Sequence, residues 1–152
     1  MNRRPSSPLD TPLEARVFVS LQKTADSLAV ETEQLLKPHG LTGTQYNVLR
    51  ILRGAEPDGL PCSSIGERMI SHDPDMTRLL DRMEKRGLIT RARQTDDRRV
   101  VKTRITRSGL TLLKNLDQPV RELHQRQFGH LPAARLNALA ELLEEVRPNP
   151  AR

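Results

Sequence analysis

Apolar residues recur along this chain at intervals of three and four, which is the spacing of one helix face. The first such stripe extends over about 25 residues, from a capping-box pattern at Thr11 to Glu14 as far as Pro38 and Gly40, which end it. A helix of that length is longer than a small domain can cover, so we expect it to pack on a second copy of the chain. Its apolar stripe is formed by Leu13, Val17, Leu21, Leu28 and Leu35.

Three shorter helices are predicted next. One begins with a second capping-box pattern at Thr42 to Gln45, and a shorter one covers about Ser63 to Met69 after a loop from Gly54 to Pro61. The third begins at Asp73, the expected N-cap, and ends at Gly87, which tolerates the left-handed cap conformation. Two short helices joined by a tight turn, the second of them basic on its free face, predict a helix-turn-helix. The apolar face of this last helix is formed by Met76, Leu79, Leu80 and Met83.

A β-hairpin is predicted directly after the basic helix. Two short runs, Leu88 to Arg93 and Arg99 to Thr106, are separated by a polar loop from Gln94 to Arg98. A hairpin in this position is called a wing. Thr106 then caps another helix, in which Pro119 should produce a kink or a break.

A last helix, over about Pro132 to Val146, completes a fold that is mainly α with a small β-wing. One domain is expected at 11–147, between a disordered lead-in and a short tail. The predicted parts are the lead-in at 1–10, flanking helices at about 11–37 and 107–147, the winged helix-turn-helix at about 42–106, and the tail at 148–152.

Positive charge is concentrated in the basic helix and the wing. From Thr77 to Arg107, eleven basic residues stand against four acidic ones, a net charge of +7, whereas the whole chain carries +6. A basic helix beside a basic ribbon is typical of a protein that binds a polyanion, because Lys and Arg that neutralise phosphates release condensed counterions. The alternative is a solvated charged surface, which this structural context makes the weaker interpretation.

Composition excludes several other classes. The 152 residues include one cysteine, Cys62, which rules out an intrachain disulfide and fits a reducing compartment. We find no signal-peptide pattern and no apolar run near the roughly 18 residues of a membrane span, so we expect a cytoplasmic protein. The four histidines lack the spacing and company of a metal site, and no cofactor is implied. There is no Gly-rich phosphate loop and no Ser/His/Asp arrangement, so an enzyme is not expected.

Several segments together resemble the MarR family of winged helix-turn-helix regulators, over roughly Leu13 to Val146. The resemblance implies a homodimer held together by the first and last helices and bound to a pseudo-palindromic operator in double-stranded DNA. Recognition helices would enter successive major grooves, and wing tips would reach the flanking minor grooves. The segments are LTGTQYNVLRIL (Leu41 to Leu52), TRLLDRMEKRGLITR (Thr77 to Arg91), DDRR (Asp96 to Arg99) and ITRSGLTLL (Ile105 to Leu113).

The same resemblance implies which residues contact DNA. Ser63 and Ser64 stand at a helix start, where backbone N–H groups can bind phosphate. We assign Arg98 to insertion into the minor groove, whereas Arg99 would pair with Asp97 and hold the wing. For each of these residues the alternative is a surface ion pair or another surface role. The candidates at the start of the recognition helix are His72, Asp75, Thr77, Arg78 and Arg82.

A small-molecule response is also implied by the family. Repression would be relieved when an aromatic or anionic ligand enters a pocket between the dimerisation helices and the DNA-binding lobe, lined by Arg16, His39 and Tyr46. Two alternatives remain open. Cys62 could sense oxidants, because a helix N-terminus lowers the pKa of a thiol. The chain could also be a winged-helix module that binds protein or RNA, although no aromatic residue lies in the basic stretch where bases would stack.

Overall fold

The computed structural model describes residues 11–93 and 99–147. Within these residues the chain forms six α-helices and a small antiparallel sheet, which confirms the predicted fold class. The helices are α1 (Leu13–Leu36), α2 (Gly43–Arg53), α3 (Cys62–Arg68), α4 (Met76–Lys85), α5 (Arg107–Phe128) and α6 (Ala133–Val146), and the strands are β1 (Leu60–Pro61), β2 (Ile89–Arg93) and β3 (Val101–Ile105).

Three helix ends follow the predicted chemistry. At α2, the Thr42 hydroxyl accepts from the backbone N–H of Gln45, whose side chain accepts in return from the Thr42 N–H. The Thr106 hydroxyl caps α5 in the same way. At the end of α4, Gly87 has a φ of +71° and Leu88 N–H donates to the Met83 carbonyl, which is the predicted glycine stop.

Two local predictions are wrong, and a third is wrong in part. No side-chain bond caps α1, which begins after Pro12, so the pattern at Thr11 is not a capping box. The N-cap of α4 is Asp75 and not Asp73, since Asp73 instead accepts from the Asp75 N–H and stabilises the turn before the helix. Of the kink or break predicted at Pro119, the break does not occur, because buried residues on both sides of it, Leu116 and Val120, hold one continuous α5 in the core.

The sheet has the strand order β1-β3-β2. In the wing, β2 and β3 pair from Ile89 opposite Ile105 to Arg93 opposite Val101. Strand β1 lies in the segment predicted as a loop, because a strand of two residues shows no periodicity and a proline argues against any strand except an edge strand. Its approach to β3 depends on Gly59, with a φ of +69°, where a Cβ would lie 2.5 Å from the Thr103 carbonyl oxygen.

The core lies inside the winged domain. Helices α2 to α5 and the sheet supply almost all of it, whereas α1 buries only Leu36 and α6 buries no residue. Large apolar side chains therefore remain exposed on both flanking helices. They are Leu13, Val17, Phe18, Val19 and Val30 on α1, and Leu139, Leu142, Leu143 and Val146 on α6.

Candidate nucleic-acid interface

The predicted recognition surface is the exposed side of α4. Arg78 and Arg82 lie there one turn apart, with Thr77 beside them. Arginine donors can bind the O6 and N7 acceptors of guanine or a phosphate group, so this surface has the chemistry to contact DNA. The opposite side of α4 is fixed in the core by Leu79, Leu80 and Met83.

The start of α4 is shaped by Asp75. Its carboxylate accepts from the Arg78 N–H at 3.2 Å and lies 3.3 Å from the Arg78 guanidinium Nε. Asp75 therefore caps the helix and orients an arginine whose side chain is still 78% exposed. His72 is exposed in the turn before the helix. His72, Asp75 and Arg78 therefore lie at one end of α4, and their contacts with DNA stay predictions.

The turn between α3 and α4 is anchored to α2. The Ile70 N–H donates to the Asn47 side-chain oxygen at 2.8 Å, so this hydrogen bond fixes the turn to α2. Helix α3 begins at Cys62, so Ser63 and Ser64 lie in its first turn. Ser63 is exposed and Ser64 is half-buried. Of the two predicted phosphate contacts, Ser63 is therefore the more accessible.

The wing extends beyond α4 and carries exposed arginines at its outer end. Arg93 ends β2, and Arg99 lies in the turn before β3. Arg98 and Asp97 lie outside the described residues. The assignment of Arg98 to the minor groove, and of Asp97 as the residue that holds the wing, therefore stay predictions.

Several of the basic residues counted toward the positive stretch contact the protein itself, and two of them make close side-chain hydrogen bonds away from the exposed side of α4. The Arg91 guanidinium binds Glu84 and Asp81, both on α4. Arg86 donates to the Gly40 carbonyl at 2.6 Å. Sequence reasoning could not separate these arginines from the exposed ones, because net charge alone does not show which guanidinium groups are already paired.

A cavity with a volume of about 760 Å³ lies between α2, α5 and α6. Arg53 forms a two-point ion pair with Asp117 at its wall, with N–O distances of 2.9 and 3.0 Å. Arg50 donates to the Tyr46 hydroxyl, and its guanidinium carbon lies 5.9 Å from the centre of that ring. The remaining lining residues are Val120, Arg121, His124, Gln125, Phe128, Gly129 and Leu136.

The predicted ligand pocket shares one residue with this cavity. Tyr46 lines the cavity, whereas Arg16 and His39 are not among its lining residues. Arg16 is exposed in the first turns of α1, and His39 is exposed in the short 3-10 turn after it. A ligand pocket that includes these two residues stays a prediction. The Arg53–Asp117 pair could not be predicted from the sequence, because 64 residues separate its partners.

Other candidate chemistry is sparse in the described part of the chain. Cys62 is a free cysteine that is half-buried and packed against the core. In residues 11–93 and 99–147, no three His, Cys, Asp or Glu side chains are grouped so that they could hold a metal ion. None of the helices described is both long and apolar enough to cross a membrane.

The arrangement of helix-turn-helix, basic recognition surface and wing defines a winged helix-turn-helix DNA-binding protein. A family model, that of the MarR family, matches residues 41–101. Over 117 residues the chain is 34% identical to the HTH-type transcriptional repressor IacR of Pseudomonas putida, an alignment covering 77% of this chain and 69% of that protein. The chain belongs to the MarR family.

Two further relatives agree with this assignment. The homoprotocatechuate degradative operon repressor of Escherichia coli is 29% identical over 111 residues, which cover 73% of this chain and 74% of that one. A MarR transcription factor from Planctomyces limnophilus, known from its crystal structure, has 40% sequence identity to this chain. The two structures align with a TM-score of 0.68 over 90% of this chain and 98% of that chain. These relatives are named as transcription factors or repressors and not as enzymes.

Proposed function

We propose that this MarR-family protein is a homodimeric repressor that binds a pseudo-palindromic operator in double-stranded DNA. The observation that carries the proposal is the exposed basic side of α4, with Arg78 and Arg82 on successive turns next to a basic wing. In a two-fold dimer the two recognition helices would face half-sites one helical turn of DNA apart. Phosphate contacts would position the protein, and the helix would read base edges.

The unpartnered surfaces of α1 and α6 support the dimeric form. Both helices expose large apolar residues that the single chain does not cover. In the sequence, α1 precedes the winged helix-turn-helix and α6 follows it. Repression is supported by the named relatives from Pseudomonas putida and Escherichia coli, both of which are repressors.

The first experiment is fluorescence-anisotropy titration with duplex DNA from the region upstream of the protein's own gene. We expect specific binding that weakens steeply as salt rises, because several phosphates are neutralised. Arg82→Ala should weaken operator binding about tenfold or more, the size of one lost base or phosphate contact. Arg126→Ala removes the same charge from an exposed position of α5, outside the recognition helix, the wing and the exposed stripe of α6, and should leave binding within about twofold.

Equal affinity for the upstream duplex and a scrambled duplex would contradict operator recognition. Competition with single-stranded RNA tests the alternative of an RNA-binding module, which is favoured only if RNA displaces the duplex at similar concentration. The Arg98→Ala variant adds a test of the wing-tip prediction, with the greatest loss expected on operators whose flanks have the narrow minor groove of an A-tract.

We further infer that the cavity between α2, α5 and α6 binds an anionic aromatic ligand that releases the operator. Its wall combines Tyr46 and Phe128 with three arginines and one histidine against a single carboxylate, Asp117. Apolar walls with a few placed charges are typical of small-molecule sites, and a volume of about 760 Å³ suits a ring with a carboxylate side chain. The relative that represses a homoprotocatechuate degradative operon supports aromatic acids as the class to test.

A panel of aromatic carboxylates and phenolic acids tests this inference. A ligand that binds the native protein should raise its melting temperature by several degrees at about 100-fold excess over Kd, and should weaken operator binding. Arg50→Met removes one cation from the cavity wall at similar side-chain length and should abolish both effects, whereas Arg126→Ala, at an exposed residue that does not line the cavity, should keep them. A panel that changes neither melting temperature nor DNA affinity would contradict the ligand response.

A further inference from the structure

Arg91 joins the two elements that the proposed function places on DNA. It lies in the wing strand β2, and its guanidinium Nη2 is 2.7 Å from a Glu84 carboxylate oxygen and 2.5 Å from an Asp81 oxygen, both on α4. Its Nε donates to the same Glu84 oxygen at 3.0 Å, and its backbone N–H donates to the other one at 3.0 Å. Glu84 thus accepts from both the side chain and the backbone of one wing residue.

The geometry of this contact depends on arginine in particular. A planar guanidinium presents several donors in a fixed fork, so it can bridge two carboxylates that lie three residues apart on a helix, whereas lysine offers one compact charge. Hydrogen bonds from Arg91 hold the pKa of the Glu84 carboxyl below its ordinary value, so the contact is fully charged at neutral pH. The Arg91 side chain is 26% exposed, which shields the contact partly from water and salt.

The position of the contact matters for DNA. Helix α4 ends at Lys85, and Gly87 starts the chain toward β2. The base of the wing is held by packing, because Ile89 and Ile105 are buried in the same core as α4, and Arg91 is two residues further out along β2. The backbone hydrogen bonds between β2 and β3 fix the wing internally but do not set its angle to α4. The Arg91 guanidinium adds hydrogen bonds from β2 to Glu84 and Asp81 on α4.

We propose that Arg91 is a positioning residue for DNA binding, which sets the angle between wing and recognition helix so that both meet one half-site together. Arg91 does so through Glu84 and Asp81 and not by contact with phosphate. The inference rests on the proposed operator binding. It assigns a role to a residue that charge counting would place among the DNA contacts.

The test compares Arg91→Lys with Arg126→Lys, which makes the same change at an exposed residue of α5, outside the recognition helix and the wing. Both variants keep the net charge, so loss of charge cannot explain a difference. We expect Arg91→Lys to weaken operator binding about tenfold while binding to scrambled DNA is unchanged, and Arg126→Lys to stay within about twofold. Equal weakening on operator and scrambled DNA would overturn the proposal.

A double-mutant cycle with Arg98→Ala, the variant of the predicted minor-groove contact, separates positioning from a local loss of stability. If Arg91 aims the wing, Arg98→Ala should cost about tenfold in the native background but less than about threefold after Arg91→Lys, because the wing is already displaced. Fully additive losses would overturn the proposal. If Arg91→Lys folds poorly, Glu84→Gln takes its place in the cycle. This milder variant keeps the shape of the side chain, and it should give the same non-additivity.

Amide hydrogen exchange of the DNA-free protein tests the contact independently of operator binding. After Arg91→Lys we expect exchange in β2 and β3 to rise about tenfold, with α2 and α5 unchanged. A uniform rise in exchange rate across the chain would show global destabilisation and would overturn a local positioning role. Unchanged exchange in β2 and β3 would overturn it as well. If the native protein fails to prefer its operator, the proposed function fails, and the exchange pattern still decides whether Arg91 fixes the wing on α4.

Discussion

Gly109 lies at the point where the recognition helix, the wing and α5 meet. A Cβ at this position would lie 2.5 Å from the Leu88 carbonyl oxygen and 2.7 Å from a side-chain carbon of Ile105. Its N–H donates to the Thr106 hydroxyl, which in turn donates to the Gly87 carbonyl at 2.6 Å. These contacts explain why the segment that begins at Ile105 needs threonine and glycine at these positions, since both residues join the end of α4 to the start of α5.

We therefore expect Gly109→Ala to lower the free energy of unfolding by about 1–3 kcal/mol, because a backbone oxygen cannot move aside as a flexible side chain can. The matched control is Gly66→Ala in α3, where no atom lies within 4 Å of the added Cβ. That change should be neutral or stabilising by up to about 1 kcal/mol, since alanine is the better helix former. Urea unfolding of both variants measures the difference, and equal effects would show that the junction can relax.

At the scale of elements, prediction succeeded where local chemistry decides the structure. The ends of α2 and α5 depend on a threonine and the residue three positions later, and the end of α4 depends on a single glycine. The caps predicted at Thr11 and Asp73 were nevertheless wrong, since each position has a second candidate within two residues. The other failures occurred where distant contacts decide. Strand β1 exists because it pairs with β3, some forty residues away in sequence, and α5 continues through Pro119 because its neighbours are buried.

The residues of the candidate site also fall into two groups, those predicted from local periodicity and those whose partners are distant in sequence. Exposure of Arg78 and Arg82 follows from helical periodicity, so the sequence alone placed them on the free side of α4. The roles of Arg91 and Arg53 depend on carboxylates that only the folded chain brings near, Glu84 and Asp117 respectively. A sequence pattern gives the charge of a side chain but not its partner, which is why the cavity wall and the contact between wing and helix were both missed.

For the whole molecule, the question is what covers the flanking helices. On α6, the exposed residues Leu139, Leu142, Leu143 and Val146 recur at intervals of three and four and form one stripe. On α1, Leu13 and Phe18 are more than 60% exposed. An apolar surface of this extent on two helices is typical of an interface, and a second copy of the chain would bury it in a symmetric dimer.

Dimer formation through α6 can be tested by placing a charge in this stripe. Leu142→Glu would bury an unpaired carboxylate in the interface, so we expect the dimer dissociation constant to rise at least about 100-fold. Asn137→Glu adds the same charge about half a turn away on the opposite side of α6 and should leave assembly unchanged. Sedimentation velocity across a concentration series measures both variants.

The consequence for DNA follows from symmetry. A monomer contacts one half-site, and so the Leu142→Glu variant should lose the preference for a two-half-site operator over a single half-site, although the basic surface of α4 is intact. Undiminished preference in a variant shown to be monomeric would contradict recognition by a dimer. If Leu142→Glu and Asn137→Glu both remain dimeric, the stripe on α6 is not part of the interface, and α1 becomes the surface on which the same substitution, at Phe18, should be made.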